Sequence, residues 1–223
     1  MLGINTNFGL VWSKVIPMSQ KKHEILPLFI EPYFKTNIGH AIGKKQIDFL
    51  KSLKMIQNQT NLISENLSIF EEPELKSLKK AVQDALDIYA EEVMGISNKL
   101  YVTQSWSLIN HTNVGMHGHT HSNSIISGSL YFHDMPTPTA GMIFERHKTY
   151  QRLELYPEQG KANLYNTTKN IVVPQKNDLL LFGSDLLHLV QPNVSMQPRH
   201  SVAFNTFVKG DLGSHRDVSA LSL

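Results

Sequence analysis

The chain has 223 residues, 41% of them hydrophobic and 18% charged, with a formal net charge of +2 at pH 7, the make-up of an ordinary globular domain. That length can bury one substantial core, and the near balance of charge gives no reason to expect nucleic acid or an anionic membrane as a partner. Cysteine is absent, which excludes disulfides and thiolate metal sites, so any metal must be held through nitrogen and oxygen.

The first stretch, "MLGINTNFGLVWSKVIP", lacks a basic patch followed by a long apolar run and a small-residue cleavage site. No apolar run reaches the ~18 residues of a membrane span. A cytoplasmic protein is expected, and the sequons "NQT", "NLS", "NTT" and "NVS" read as chance matches. Ile47, Leu50 and Leu53 suggest a helix from about Lys44 to Met55. A stronger helical pattern follows in "EPELKSLKKAVQDALDIYAEEVMGI": Leu75, Leu78, Val82, Leu86, Tyr89 and Val93 recur every three or four residues. Pro73 suits its start and Gly95 its stop.

Near residue 97 the pattern changes to short β-type segments, "KLYVTQSWSLI", "IISGSLYF", "GMIFER", "NIVVPQ", "DLLLFG" and "HSVAFNTF", divided by turn residues such as "DMPTPTAG" and "PQKND". Helices followed by many short strands predict a mostly β protein with flanking α-helices, a sandwich or jelly roll. We expect a single domain over 1–223: an N-terminal strand and helical part to about 97, a β core over about 98–208, and a polar tail at 209–223.

The chemistry concentrates in "HGHTHSNSIISGSLYFH". If this stretch is extended, His117, His119 and His121 share one face, and two adjacent members could chelate one metal. Six of the eleven histidines fall between His111 and His147, and for any single one an ordinary polar role is the default. The balance shifts with "NDLLLFGSDLLHLVQPNVSMQPRHSVAFNTF". There an apolar strand leads to His188, Pro192 and Asn193 turn the chain, and Arg199 opens another strand eleven positions after His188.

The stretches "TQSWSLIN", "HTHSNSIISGSLYF", "DLLLFGSDLLHLVQPN" and "RHSVAFN", spanning roughly Val102 to Phe207, resemble the Fe(II)- and 2-oxoglutarate-dependent oxygenases, in particular a branch related to prolyl hydroxylases. The resemblance implies a double-stranded β-helix (cupin-like jelly roll) core. It places His119 and His121 at the proximal ligand pair, His188 at the distal ligand, and Arg199 with Ser201 on the distal carboxylate of 2-oxoglutarate. It also implies a dioxygenase using Fe(II), 2-oxoglutarate and O2, which couples oxidative decarboxylation to hydroxylation of a second substrate, a peptide or a small molecule. The residue types agree: three facial ligands leave three coordination positions open, and Arg199 and Ser201, two apart on one strand face, offer a planar cationic fork and a hydroxyl.

The common facial triad contains a carboxylate, which "HTH" lacks. Either His117 and His119 form the pair, or Asp134, Glu145 or Asp185 supplies an acid, or the triad is His119, His121 and His188, as the resemblance favours. Trp106, Asn110, Tyr131 and Phe182 are expected to face the same cavity, with Tyr131 the candidate for a hydrogen bond to 2-oxoglutarate. His111 is placed at the substrate mouth, and His133 and His147 at the surface or behind the ligands. Two rivals stay open: a cupin-like three-histidine enzyme without 2-oxoglutarate, which leaves Arg199 idle, and a jelly-roll binding module with a degenerate site. The loops "HDMPTPTAG" and "RHKTYQRLELYPEQGKANLYNTTKN" carry no pattern that names the second substrate, and a homodimer is left open.

Overall fold

The computed structural model describes residues 24–146 and 157–223; the first 23 residues, His147 and part of the long loop after it lie outside the described residues. Pro32–Leu223 make one compact unit, and the described residues 24–31 belong to another and contain no helix or strand.

Within 32–223 the elements run β1 (Tyr33–Asn37), α1 (Lys44–Ser52), β2 (Met55–Gln57), β3 (Leu62–Ser64), α2 (Lys76–Ile88), β4 (Lys99–Asn110), β5 (Met116–His119), β6 (Ile126–Leu130), β7 (Met142–Glu145), β8 (Lys169–Val172), β9 (Asp178–Gly183), β10 (Leu187–Val190), β11 (Arg199–Lys209), β12 (Asp211–Leu212) and β13 (Leu221–Ser222). The strands form a seven-stranded sheet, β1-β9-β6-β11-β4-β3-β2, a four-stranded sheet, β5-β10-β7-β8, and a two-stranded ladder, β12-β13, in the tail. All pairings between these strands are antiparallel. From β4 to β11 the chain passes back and forth between the two main sheets, the jelly roll expected from the pattern. No described helix is long and apolar enough to cross a membrane.

The larger sheet buries both faces. Alternate residues of β9 divide between them: Leu179 and Leu181 join the core under the helices, while Leu180 and Phe182 join a smaller cluster with Tyr131, Met142, Phe144 and Val172 between the sheets. The helix-side core takes Leu75, Leu78, Val82 and Leu86, as the spacing predicts. The end of that helix differs. A short 3-10 turn at Pro73–Leu75 precedes α2, and Tyr89–Met94 widens into a π turn before Gly95 stops it at φ 65°. The wider turn advances the phase, so Ala90 is buried and Val93 is 39% exposed.

The chain also departs from expectation at "DLLLFGSDLLHLV". One apolar strand leading to His188 is in fact two: β9 stays in the larger sheet, a turn at 184–186 crosses the gap, and β10 carries His188 in the smaller sheet. An uninterrupted strand could not cross from sheet to sheet.

Gly128 sits in the middle of β6 because Phe204 needs the space: a Cβ there would lie 2.0 Å from the tip of the Phe204 ring, which in turn packs on Phe70 at 5.6 Å between centroids. Overpacking of this kind costs about 1–3 kcal/mol. Gly128→Ala should lower the stability measured by urea unfolding by that order, and unchanged stability would contradict the packing described.

Candidate metal centre

The register of β5 against β10 puts His188 directly opposite His119, with ring centroids 4.4 Å apart. His121 lies two residues past the end of β5, where the strand has given way to loop, and its backbone N–H donates to Ser184 O at 2.9 Å. That bond turns the imidazole back toward the pair. The Nε2 atoms of His121 and His188 are 3.3 Å apart, and one nitrogen from each of the three rings lies within 4.8 Å of the others.

Two of the rings are held in one tautomer. His119 Nδ1 donates to His117 O at 2.8 Å and His188 Nδ1 to Leu186 O at 2.9 Å, so both Nε2 lone pairs are free to bind a metal. Burial pushes His121 down to about 4, helped by the neighbouring His119. Burial does the same for His188, also to about 4, against the Leu186 carbonyl and with His119 and His121 adding to the fall. At neutral pH these two rings are therefore unprotonated donors.

The donor set fits a metal. Two nitrogens bound at ~2.1 Å at right angles would stand about 3 Å apart, close to the 3.3 Å observed, and imidazole suits iron, zinc, copper and nickel. Phe182 meets His188 edge to face at 4.8 Å, and Trp106 lies 6.1 Å from the His121 ring, so aromatic surface flanks the histidines.

A cavity of about 230 Å³ joins the histidines to the central strand β11, where Arg199, Ser201 and Ala203 face inward. Among the described residues, Arg199 is the only permanently charged one lining it, and no carboxylate does. Arg199 is 2% exposed and pairs with no acid among the described residues. Its Nη2 donates to Tyr131 Oη at 3.2 Å, its Cζ lies 5.0 Å from the centre of the Tyr131 ring, and its Nε has no partner. A buried cation so placed is costly until an anion reaches it.

Residues 104–205 match the family model described as "Putative 2OG-Fe(II) oxygenase". The match spans a little under half of the chain. No curated protein matches the sequence. Among solved structures, the chain is similar to the non-heme alpha ketoglutarate dependent epimerase SnoN from nogalamycin biosynthesis, with 12% identity over 79% of this chain and 78% of that one and a TM-score of 0.56. HygX from Streptomyces hygroscopicus, with nickel and 2-oxoglutarate bound, is 13% identical over 79% and 82%, with a TM-score of 0.55. A prolyl-4-hydroxylase from Pseudomonas putida is 12% identical over 81% and 94%, with a TM-score of 0.52. These likenesses establish the fold.

The structure separates the other sequence candidates. His117 is exposed and outside the three-histidine group, although its carbonyl orients His119. Asp134 is bonded to Lys176, Glu145 to Lys169 on the next strand, and Asp185 is exposed, so among the described residues no acid joins the three histidines. Trp106, Asn110 and Phe182 line the cavity; Tyr131 and His111 do not. His133 lies beside Lys51 and His200 instead. Three lining residues that sequence reasoning missed, Asn58, Asn61 and Ile63, come from the β2–β3 hairpin, whose only signal was the turn-forming "QNQTN". Ser127 and Ser129, at alternate positions of β6, were overlooked too.

Buried neutral histidines set a pH dependence. Below pH 6.5 the unfolded His121, His188 and His200 bind protons that the folded forms refuse until about pH 4. Stability of the metal-free protein is therefore full above 6.5 and is lost as pH falls toward 4. The Tm should drop through that window, and less steeply in His188→Gln; equal slopes for the two proteins would contradict the assignment.

Proposed function

We propose that His119, His121 and His188 hold Fe(II) on one face and that Arg199 and Ser201 hold the distal carboxylate of 2-oxoglutarate, making the protein a hydroxylase of a second substrate. The observation that carries this reading is the buried, acid-free Arg199 opening onto the same cavity as three convergent histidines. Bound iron and 2-oxoglutarate would supply dioxygen activation: one oxygen atom goes to succinate as carbon dioxide leaves, and the other enters a C–H bond of the substrate.

The chain's part is binding, orientation and exclusion of water. The neutral His121 and His188 imidazoles donate their lone pairs without first losing a proton. Arg199 offers its fork to a carboxylate, and Ser201, on the same face two residues on, adds a hydroxyl donor. Tyr131 acts on the cosubstrate through Arg199, whose Nη2 it holds. The cavity, about 230 Å³, falls below the ~300–1,000 Å³ of pockets that enclose a drug-sized ligand. It accommodates the five-carbon diacid and one projecting group of the second substrate, which suits a side chain on a larger molecule. A three-histidine enzyme with no 2-oxo acid would leave the Arg199 charge uncompensated.

Two experiments test this. His188→Ala should abolish Fe(II)-dependent succinate formation in a folded protein, His121→Asp should retain metal by restoring a carboxylate, and His117→Ala should be mild; full turnover in His188→Ala refutes the metal centre. Arg199→Ala should weaken 2-oxoglutarate binding by about 10- to 150-fold, the worth of one charge-assisted contact, while iron stays bound. Equal binding in the two proteins would remove 2-oxoglutarate from the reading.

A further inference from the structure

His121 and His188 sit on different segments of the jelly roll, and the separation of their Nε2 atoms is set where the chain crosses from β9 to β10. Ser184 occupies that corner and is 1% exposed. Its carbonyl accepts from His121 N at 2.9 Å, and its own N–H donates to Ile125 O at 3.0 Å. Its side chain makes two more contacts: Oγ donates to Ser124 Oγ at 2.7 Å and lies 2.8 Å from Ser127 Oγ. Ser127, which lines the cavity, donates to Asn205 Oδ1 on β11 at 3.2 Å, and Ser124 donates to Ile126 O at 3.2 Å while accepting from Thr206 N at 3.2 Å.

This chain of hydroxyls ties the corner to β6 and to β11, the strand that carries Arg199. Each hydroxyl has one proton, so of the three contacts from Asn205 through Ser127 and Ser184 to Ser124, the Ser127 and Ser184 protons fill two at a time, and the third is held as a close packing contact. Four residues downstream, the same corner delivers His188, whose Nδ1 is fixed by Leu186 O, and Leu186 N is bonded to Gly183 O at 3.0 Å.

We infer that Ser184 is a positioning residue for the metal centre: its hydroxyl, anchored on Ser124 and Ser127, fixes the corner that holds His121 by its backbone and presents His188 opposite it. The inference rests on the reading of these histidines as metal ligands. Without the hydroxyl the corner keeps only its main-chain bonds, and the two rings lose the anchor that sets their spacing.

The test is a titration of the full-length metal-free protein with Co(II), followed by visible d–d bands whose energies report coordination geometry, beside the Tm of each metal-free variant. Ser184→Ala should bind Co(II) about tenfold more weakly, the lower end of the range for groups that orient metal ligands, with altered band positions. Ser64→Ala serves as control, since Ser64 is equally buried and bonded, but to Asn66 O just past β3 and Ser107 N on β4 rather than to the β9–β10 corner. It should lose stability and keep the parental affinity. Parental affinity and spectrum in Ser184→Ala overturn the inference. Should Ser184→Ala not fold, Ser124→Ala decides, because it cuts the same chain at a half-buried position; parental affinity there is equally fatal. If His188→Ala binds Co(II) as tightly as the parent, the ligand reading itself fails, and the inference fails with it.

Discussion

The antiparallel register of β10 sets His188 opposite His119, and the site is arranged around that pair. Side chains alternate across a strand, so a slip of one residue would turn His188 away and bring Leu187 or Leu189 inward. Two neighbours prevent it. On one side β5 pairs through His119 and Met116, with an irregularity between them; on the other, β7 pairs residue for residue, Leu187 with Glu145 through Val190 with Met142. Phe182 and Phe144 then pack around the imidazole from both sheets, so hydrophobic packing and hydrogen bonding select the same register.

Charge organises the remainder. The cavity holds one guanidinium and three histidines, two of them held neutral by burial, with no acid to offset them. On the proposed ligand set a divalent ion would raise the local charge further, and a dianionic 2-oxo acid would bring it back down. Each ligand then reduces the cost of binding the other, a reciprocal coupling that a carboxylate in the triad would weaken.

Much of this was legible in the sequence because its signals are periodic. The helix spacing from Leu75 to Leu86 and the strands bounded by turn residues follow from a local repeat; "HTH" is legible as a cluster, and the structure brings His119, His121 and His188 together within one group although His121 lies past the end of β5. What was not legible depends on contacts distant in the chain. The Gly183-Ser184-Asp185 triplet marks a turn, but that the chain changes sheet there is visible only from which strands β9 and β10 pair with. Tyr131 lies just past the end of β6, on the same inter-sheet side as Ser127 and Ser129, and packs against Arg199 rather than lining the cavity, a distinction that alternation alone does not make. The β2–β3 hairpin consists of two three-residue strands, too short for an alternation to show, and only pairing with β4 reveals it. The slip of phase at the end of α2 needs a π turn, which no apolar spacing announces.

The hairpin has a consequence for how such a protein changes over generations. Its tip carries Asn58 and Asn61 onto the cavity wall, where Asn61 reaches Asn110, yet β2 is the outermost strand of its sheet, and Thr60 Oγ1 donates to Gly115 O, pinning the tip beside the loop between β4 and β5. Residues at the tip can be exchanged, or the turn lengthened at small entropic cost, without disturbing the core under the helices or the strands that carry the histidines. Selection can therefore retune which molecule is admitted while the chemistry inside is inherited intact.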